Sequence, residues 1–280
     1  MRNVLILSFM HHHNMILKEF ELLKTHYQKL IDYYKLPMQY YGVLLTDRED
    51  VEEYFIDHNS KIIWLKSQSV EEDDKDLYKK VIAGFKVIEK EFEYDVVVKS
   101  NTSFLINLLF LNSQIQNTPD IEHCILTSLA GECKYVDTGL FIGARGNCMV
   151  MHKNLIQQTI LKSDTFPPYT DQHMPHHVDD QRISYILRKD AHFVSLGQYS
   201  ISQQDDVAPH NTLEYVDDIF NVPGITIKTY DAGYAKRFKD ADDSVLMFQC
   251  TDVILLRLFI NQIESRFLPE YRNIIRYFHF

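Results

Sequence analysis

Glycine and cysteine are scarce in this chain, and positive charge is in deficit. Nine glycines among 280 residues argue against long flexible linkers. The four cysteines, Cys124, Cys133, Cys148 and Cys250, form no C-x-x-C pair. That excludes a zinc knuckle or thioredoxin motif and points to free thiols in a reducing compartment. A formal charge of −10 and a pI near 5.7 lack the basic footprint of a general nucleic-acid binder. No run approaches the ~20 apolar residues of a spanning helix. The apolar run Val4–Leu7 is too short for a signal-peptide core. The expectation is a cytoplasmic protein whose sequon at Asn101 carries no glycan. There is no G-x-G-x-x-G after the first apolar run, no G-x-x-x-x-G-K-[ST], no G-x-S-x-G and no H-E-x-x-H. Dinucleotide binding by the usual fingerprint, a P-loop, a hydrolase elbow and a zincin helix are therefore not written here.

What the chain does have is apolar mass. It carries 17 Tyr, 17 Phe and 45% hydrophobic residues against 24% charged, which is ordinary globular composition. At this length folding buries about 75% of the unfolded surface, so neither a disulfide nor a structural metal is needed.

The first hundred residues alternate strand and helix patterns. "NVLILSF" (3–9), "YYGVLL" (40–45), "KIIWL" (61–65) and "DVVVKS" (95–100) read as short strands, branched and apolar enough to be buried in a parallel sheet. Ile16, Phe20, Leu23, Tyr27, Leu30 and Tyr34 recur at helical spacing, and Pro37 ends that helix. "REDVEEYFIDH" reads as a short helix. A longer one shows Leu77, Val81, Phe85, Ile88 and Phe92 on one face, and "SFLINLLFL" reads as another, capped by Thr102 or Ser103. The acidic patch 71–76 suits a helix start. The expected class is α/β, a mostly parallel sheet with helices on both faces. Ligands then bind beyond the carboxyl ends of the strands, which nominates Ser8, His11–His13, Asp47, Lys66 and Lys99–Ser103.

Downstream, residues 135–151 read as two strands around a glycine-containing turn, followed by a helix from His152. "DDQRISYILRKD" is a helix opening on two carboxylates, and "AHFVSLG" and "ITIKTY" are strands. The last forty residues read as helical and aromatic, with arginines between the aromatics. They suit docking on the domain or contact between subunits, giving a monomer or a homodimer, with a membrane surface as the alternative. The expected division is a main domain 1–240, with halves 1–110 and 111–240, and a helical extension 241–280.

Each polar constellation has a plain reading beside a chemical one. Lys99 can meet a phosphate and Asn101, Thr102 and Ser103 a sugar, or the same residues merely cap a helix. Asp179 and Asp180 can supply a general base, or simply suit a helix dipole. His173, His176, His177 and Asp179 are metal-capable but lack a zinc-site spacing, so a metallohydrolase is a rival reading. Lys228, Lys236, Arg237 and Lys239 with Tyr230 and Tyr234 can grip a diphosphate, or form a solvated loop. The abundant aromatics also allow a non-catalytic carbohydrate-binding module.

Taken in order, "DLYKKVIAGFKVIEKEFEYDVVVKSNTSFLINL", "FIGARGNCMVM" and "VDDQRISYIL" resemble the Fringe-like and β-1,3-galactosyltransferase-like glycosyltransferases of GT-A fold. In particular they resemble the short members encoded by large algal viruses. The family reads approximately Lys-(Thr/Ser)-Asp-Asp-Asp-Val-Phe, then Phe-x-Ser-Gly-x-Gly-Tyr, then Asp-Asp-Val-x-Ile-Gly. Here Lys99 and Ser100 open the first motif, and Asn101, Thr102 and Ser103 stand where the family has its acidic metal-binding triplet. Neutral amide and hydroxyl groups are weak ligands for a divalent ion. No metal is therefore expected to be required, Mn or Mg being the alternative. Phe141 and Gly146 match the second motif, with Gly143 and Ala144 in place of Ser-Gly. Asp179, Asp180 and Ile183 match the third, with Ser184 in place of Gly.

The resemblance implies an inverting transfer from a UDP-sugar, UDP-xylose first, to a glycan hydroxyl, with a viral capsid N-glycan as acceptor. Asp180 is the preferred base and Asp179 the alternative. Ser8, Asp47, Lys80, Lys99, Asn101, Ser103, Arg145, Lys236 and Arg237 are placed on the donor, and Gly146, His176 and His177 on the acceptor. The partners are thus a nucleotide sugar and an oligosaccharide.

Overall fold

The structure is a computed structural model. It describes residues 1–10, 14–66, 77–102, 104–128, 130–135, 139–144, 148–163, 179–196, 198–203, 225–229, 247–250, 256–257, 260, 264 and 268. The chain divides into two compact units, each discontinuous in sequence. One comprises Met1–His12, Pro37–Asn101 and Ile115–Leu196, the other His13–Leu36, Thr102–Gln114 and Gly197–Phe280. This division follows neither the boundary at 110 nor that at 240 drawn from the sequence.

The first unit is built on an eight-stranded sheet. Its strands are β1 (Val4–Phe9), β2 (Met38–Thr46), β3 (Tyr54–Asp57), β4 (Ile62–Lys66), β5 (Val96–Ser100), β7 (Cys124–Thr127), β10 (Met149–His152) and β11 (His192–Ser195). Their order across the sheet is β11-β7-β10-β5-β1-β2-β4-β3. β1 pairs in parallel with β2 and β5, β2 with β4, and β7 with β11; β10 and β3 run antiparallel to their neighbours. This is the expected α/β class with a mostly parallel sheet. Every residue of β1 and β5 is buried, as strands covered on both faces require.

Three helices, α2 (Leu77–Glu91), α4 (Lys153–Leu161) and α5 (Asp179–Leu187), share a core with one face of this sheet. Leu5, Leu7 and Phe9 of β1, Tyr41 and Val43 of β2, Val97 of β5 and Met149 and Met151 of β10 meet Val81, Phe85, Ile88, Leu155, Ile156, Ile183 and Leu187. Each such side chain contributes roughly 1.5–3 kcal/mol when fully buried. Gly84 lets α2 lie close to β1, because a Cβ there would stand 2.9 Å from the Phe9 ring. The same unit holds the hairpin β8 (Ala130–Tyr135) and β9 (Gly139–Ala144), in which Gly131 faces Gly143 and Cys133 faces Phe141.

The second unit contains α1 (Asn14–Tyr34), with Phe20, Leu23, Tyr27 and Leu30 buried as the spacing predicts. It also contains a four-stranded sheet of β6 (Phe104–Ile106), β12 (Gln198–Gln203), β13 (Ile225–Thr229) and β14 (Met247–Cys250), ordered β13-β12-β14-β6. Tyr27 Oη accepts the Ile106 N–H at 2.8 Å. Glu264, buried, accepts from Lys29 Nζ at 2.8 Å and lies 3.1 Å from His26 Nδ1. α3 (Leu108–Asn117) follows β6.

Three local expectations are corrected. Residues 54–57 form a strand and not a helix. Asp57 Oδ1 accepts the N–H groups of Asn59 and Ser60 at 2.9 and 3.1 Å, an Asx turn that folds β3 back onto β4, and Lys61 completes it at φ 60°. Residues 104–106 are strand because they pair with β14. The following helix is capped by Asn107, whose Oδ1 accepts the Phe110 N–H at 3.1 Å, in place of Thr102 or Ser103. Finally, 247–250 is strand within the segment read as helical, although Leu256, Arg257, Ile260 and Glu264 are helical. Among the described residues no helix is long and apolar enough to cross a membrane.

Candidate functional site

A lysine in the run Val96–Ser100 must find countercharge, because that strand is buried throughout. The register places Lys99 between Leu7 of β1 and Met149 of β10. Lys99 shares parity with Val97, so it lies on the face covered by α2, α4 and α5. There the first turn of α5 presents Asp179 and Asp180. Lys99 is 1% exposed, and its ammonium pairs with Asp179 Oδ2 and Asp180 Oδ1, whose side chains are each 2% exposed. The helix N-terminus adds a favourable field for the two carboxylates.

The electrostatics follow from burial and proximity. Burial pushes Asp180 well above the usual carboxylate range; the Lys99 charge pulls it back, and the Asp179 charge adds to the rise. For Lys99, burial would lower the pKa, but the charges of Asp179 and Asp180 outweigh it and the net shift is upward. Lys99 is thus an ammonium, and Asp180 a carboxyl poised closer to neutrality than an exposed one. The Cys148 thiol is pushed up to about 12 by burial, with Lys99 lowering it and Asp180 raising it. It stays a thiol and is no nucleophile at neutral pH.

The first turn of α5 is anchored from the hairpin. Ser184 Oγ donates to the Asp180 main-chain oxygen at 2.6 Å and accepts the Ala144 N–H at 2.9 Å. In the sequence Ser184 and Gly143 stand out only as departures from the motifs. The signal available was a glycine inside a strand, which marks a close backbone approach.

The other nominated residues are distributed along the carboxyl edge of the sheet. Lys80, four residues into α2, is 3% exposed and donates to the Met10 carbonyl oxygen just beyond β1. Burial pushes its pKa down to about 8. Ser8 Oγ accepts from Tyr40 Oη at 2.9 Å. Ser8 points to the face opposite Leu7 and Phe9, so it does not join Lys99. Asp47 is exposed at the end of β2, where Lys66 Nζ donates to the carbonyls of Asp47 and Arg48 at 3.4 and 2.6 Å. Asn101 is half-buried after β5, and its carbonyl accepts from Ser100 Oγ at 3.2 Å.

The structure therefore joins Lys99 to Asp179 and Asp180 and changes the expected role of Lys99. A cation already held by two carboxylates does not serve as a free grip on a diphosphate. Asp179 is equally taken, which weighs against the metallohydrolase reading. Ser103, Arg145, Gly146, His173, His176, His177, Lys236, Arg237 and His11–His13 lie outside the described residues. Among the described residues no three His, Cys, Asp or Glu side chains are gathered to hold a metal ion. Asn101 and Thr102 offer only neutral oxygens at the end of β5, and Thr102 Oγ1 donates to Glu19 at 3.3 Å.

Comparison with known proteins gives a narrow result. No family model and no curated protein matches the sequence. Among solved structures the chain is similar to a glycosyltransferase involved in glycosylation of the major capsid of PBCV-1. The identity is 10% over 92% of this chain and 98% of that one, with a TM-score of 0.46. It is also similar to the inositol-1-phosphate CTP transferase from T. maritima, at 16% identity over 60% of this chain and 75% of that one, with a TM-score of 0.33.

Proposed function

We propose that the chain is an inverting glycosyltransferase of GT-A type that moves a sugar from a UDP-sugar to a glycan hydroxyl. The observation that carries this reading is the Lys99–Asp179–Asp180 cluster. It stands at the carboxyl end of a central strand of a mostly parallel sheet, where such folds place their ligands. Asp180 accepts the acceptor's proton as the hydroxyl oxygen forms its bond to the anomeric carbon. The bond from that carbon to the phosphate oxygen breaks, and UDP leaves with the electron pair. Burial makes Asp180 a stronger base than an exposed carboxylate, and Lys99 keeps it partly ionised. Asp179 holds Lys99 in place.

The leaving diphosphate gains negative charge that fixed cations must meet. Lys80 is the buried amine best placed for this. Arg145, Lys236 and Arg237 are its proposed partners, with Ser8, Asp47, Asn101 and Ser103 toward the rest of the donor. Gly146, His176 and His177 are assigned to the acceptor. The reading includes no resident metal, because residues 101–103 offer no carboxylate. UDP-xylose as donor and a capsid N-glycan as acceptor rest on the family resemblance alone.

A panel of nucleotide sugars tests this. UDP-sugars should raise the melting temperature, and one of them should release UDP when an oligosaccharide acceptor is supplied. No stabilisation by any nucleotide sugar, together with no turnover, refutes the assignment.

A further inference from the structure

Two residues on different elements compete for one space. Gly143 in β9 and Ser184 in α5 are both buried. A Cβ added at Gly143 would stand 2.8 Å from Ser184 Cβ and 3.2 Å from both Cys133 Sγ and the Phe141 ring. That is closer than packed side-chain carbons approach, and three sides are closed, so only one of the two positions can carry a side chain. The space is filled by a hydroxyl that uses both its donor and its acceptor capacity. Its partners are the main-chain oxygen of Asp180 and the N–H of Ala144. Ala144 is 0% exposed, so without Ser184 Oγ its N–H would be buried and unpaired.

We propose that Gly143 and Ser184 form a reciprocal pair, and that Ser184 is a positioning residue. It locks the first turn of α5, and with it the Asp180 carboxyl, to the end of β9. The function of this lock rests on the proposed role of Asp180, but its geometry does not.

The full-length chain tests it with S184A, G143A and the double variant G143A/S184G. S184A should lower kcat about tenfold to a hundredfold, as expected for a misplaced catalytic group. Donor KM should move less than about threefold, and the acidic limb of the pH–rate profile should shift. G143A should lower the melting temperature and kcat, and adding S184G should recover part of the melting temperature, the unpaired Ala144 N–H keeping the double variant below the wild type. Carbon-13 NMR titration of the Asp180 carboxyl in the wild type and S184A reads the positioning without turnover. It therefore still decides the proposal should the chain transfer no sugar. An unchanged Asp180 titration in S184A overturns the proposal. So does a G143A/S184G double variant melting no higher than G143A.

Discussion

Replacing Lys99 by Met removes a cation shared by two carboxylates that are each 2% exposed. The side-chain volume is kept, so what remains is an electrostatic fault. The folded variant must take at least one carboxyl neutral. Wild-type Asp180, already raised to about 7, is largely neutral below that pH, so the added cost of holding it neutral opens only above it, at about 1.4 kcal/mol per pH unit. Deleting one partner of a buried ion pair costs ~3–5 kcal/mol in all. The pH dependence has a definite sign. A carboxyl whose folded pKa is raised binds its proton more tightly in the native state, so its contribution is favourable below the unfolded pKa. That contribution is lost as pH rises toward the folded value. In Lys99→Met the downward pull on Asp180 is gone and the folded pKa rises further, so the variant should lose further stability relative to the wild type as pH rises from 7 to 8. Wild-type Lys99, raised above its ordinary value, keeps its own contribution throughout that window. Urea titrations at pH 5, 6, 7 and 8 measure the gap through the fluorescence of Trp64, the chain's single tryptophan, in β4. A gap that does not widen from pH 6 to pH 8, or one below about 1 kcal/mol at pH 7, refutes the reasoning.

Other outcomes follow from the same geometry. Asp180→Asn should cut kcat by about a thousandfold or more while UDP affinity stays within about threefold; steady-state kinetics with calorimetry decide, and a mild loss moves the base to Asp179. Lys80, lowered to about 8 by burial, is charged below that pH. UDP affinity measured by calorimetry should therefore weaken above pH 8, and in Lys80→Met it should be weak and flat across this range. Dialysis against EDTA should leave turnover unchanged; activity lost and then recovered with manganese contradicts the metal-free reading. Gly84→Ala drives a methyl to 2.9 Å from the Phe9 ring and should destabilise by about 1–3 kcal/mol, visible as an earlier urea midpoint.

The parallel strands were legible because burial on both faces leaves unbroken branched runs such as "VLILSF" and "VVVKS". The misread segments are those whose state is decided by a distant partner. Residues 104–106 look helical locally and become strand only by pairing with 247–249. "REDVEEYFIDH" has helical charge spacing, but the Asp57 turn and the β4 edge override it. The site was legible residue by residue and not as a unit. Lys99 and Asp180 were each nominated, yet their pairing spans 81 residues and no local pattern announces it. A charged residue inside an apolar strand and a double aspartate at a helix start both ask for a buried partner, and that demand was the available clue. Gly143 and Ser184 escaped as a pair because a glycine inside a strand marks a close approach without naming the residue that makes it.

The interleaving of the two units sets the order in which the chain can fold during synthesis. The eight-stranded sheet cannot be completed until its last member, residues 192–195, has emerged. Helix α1 is made early, but the sheet of its own unit needs β14, which sits between β12 and β6. Truncation after residue 240 would remove an interior strand from that sheet and leave two unpaired edges. The last forty residues are therefore no dispensable appendage, and a nascent chain released before residue 250 should expose sticky strand edges to chaperones and neighbouring chains.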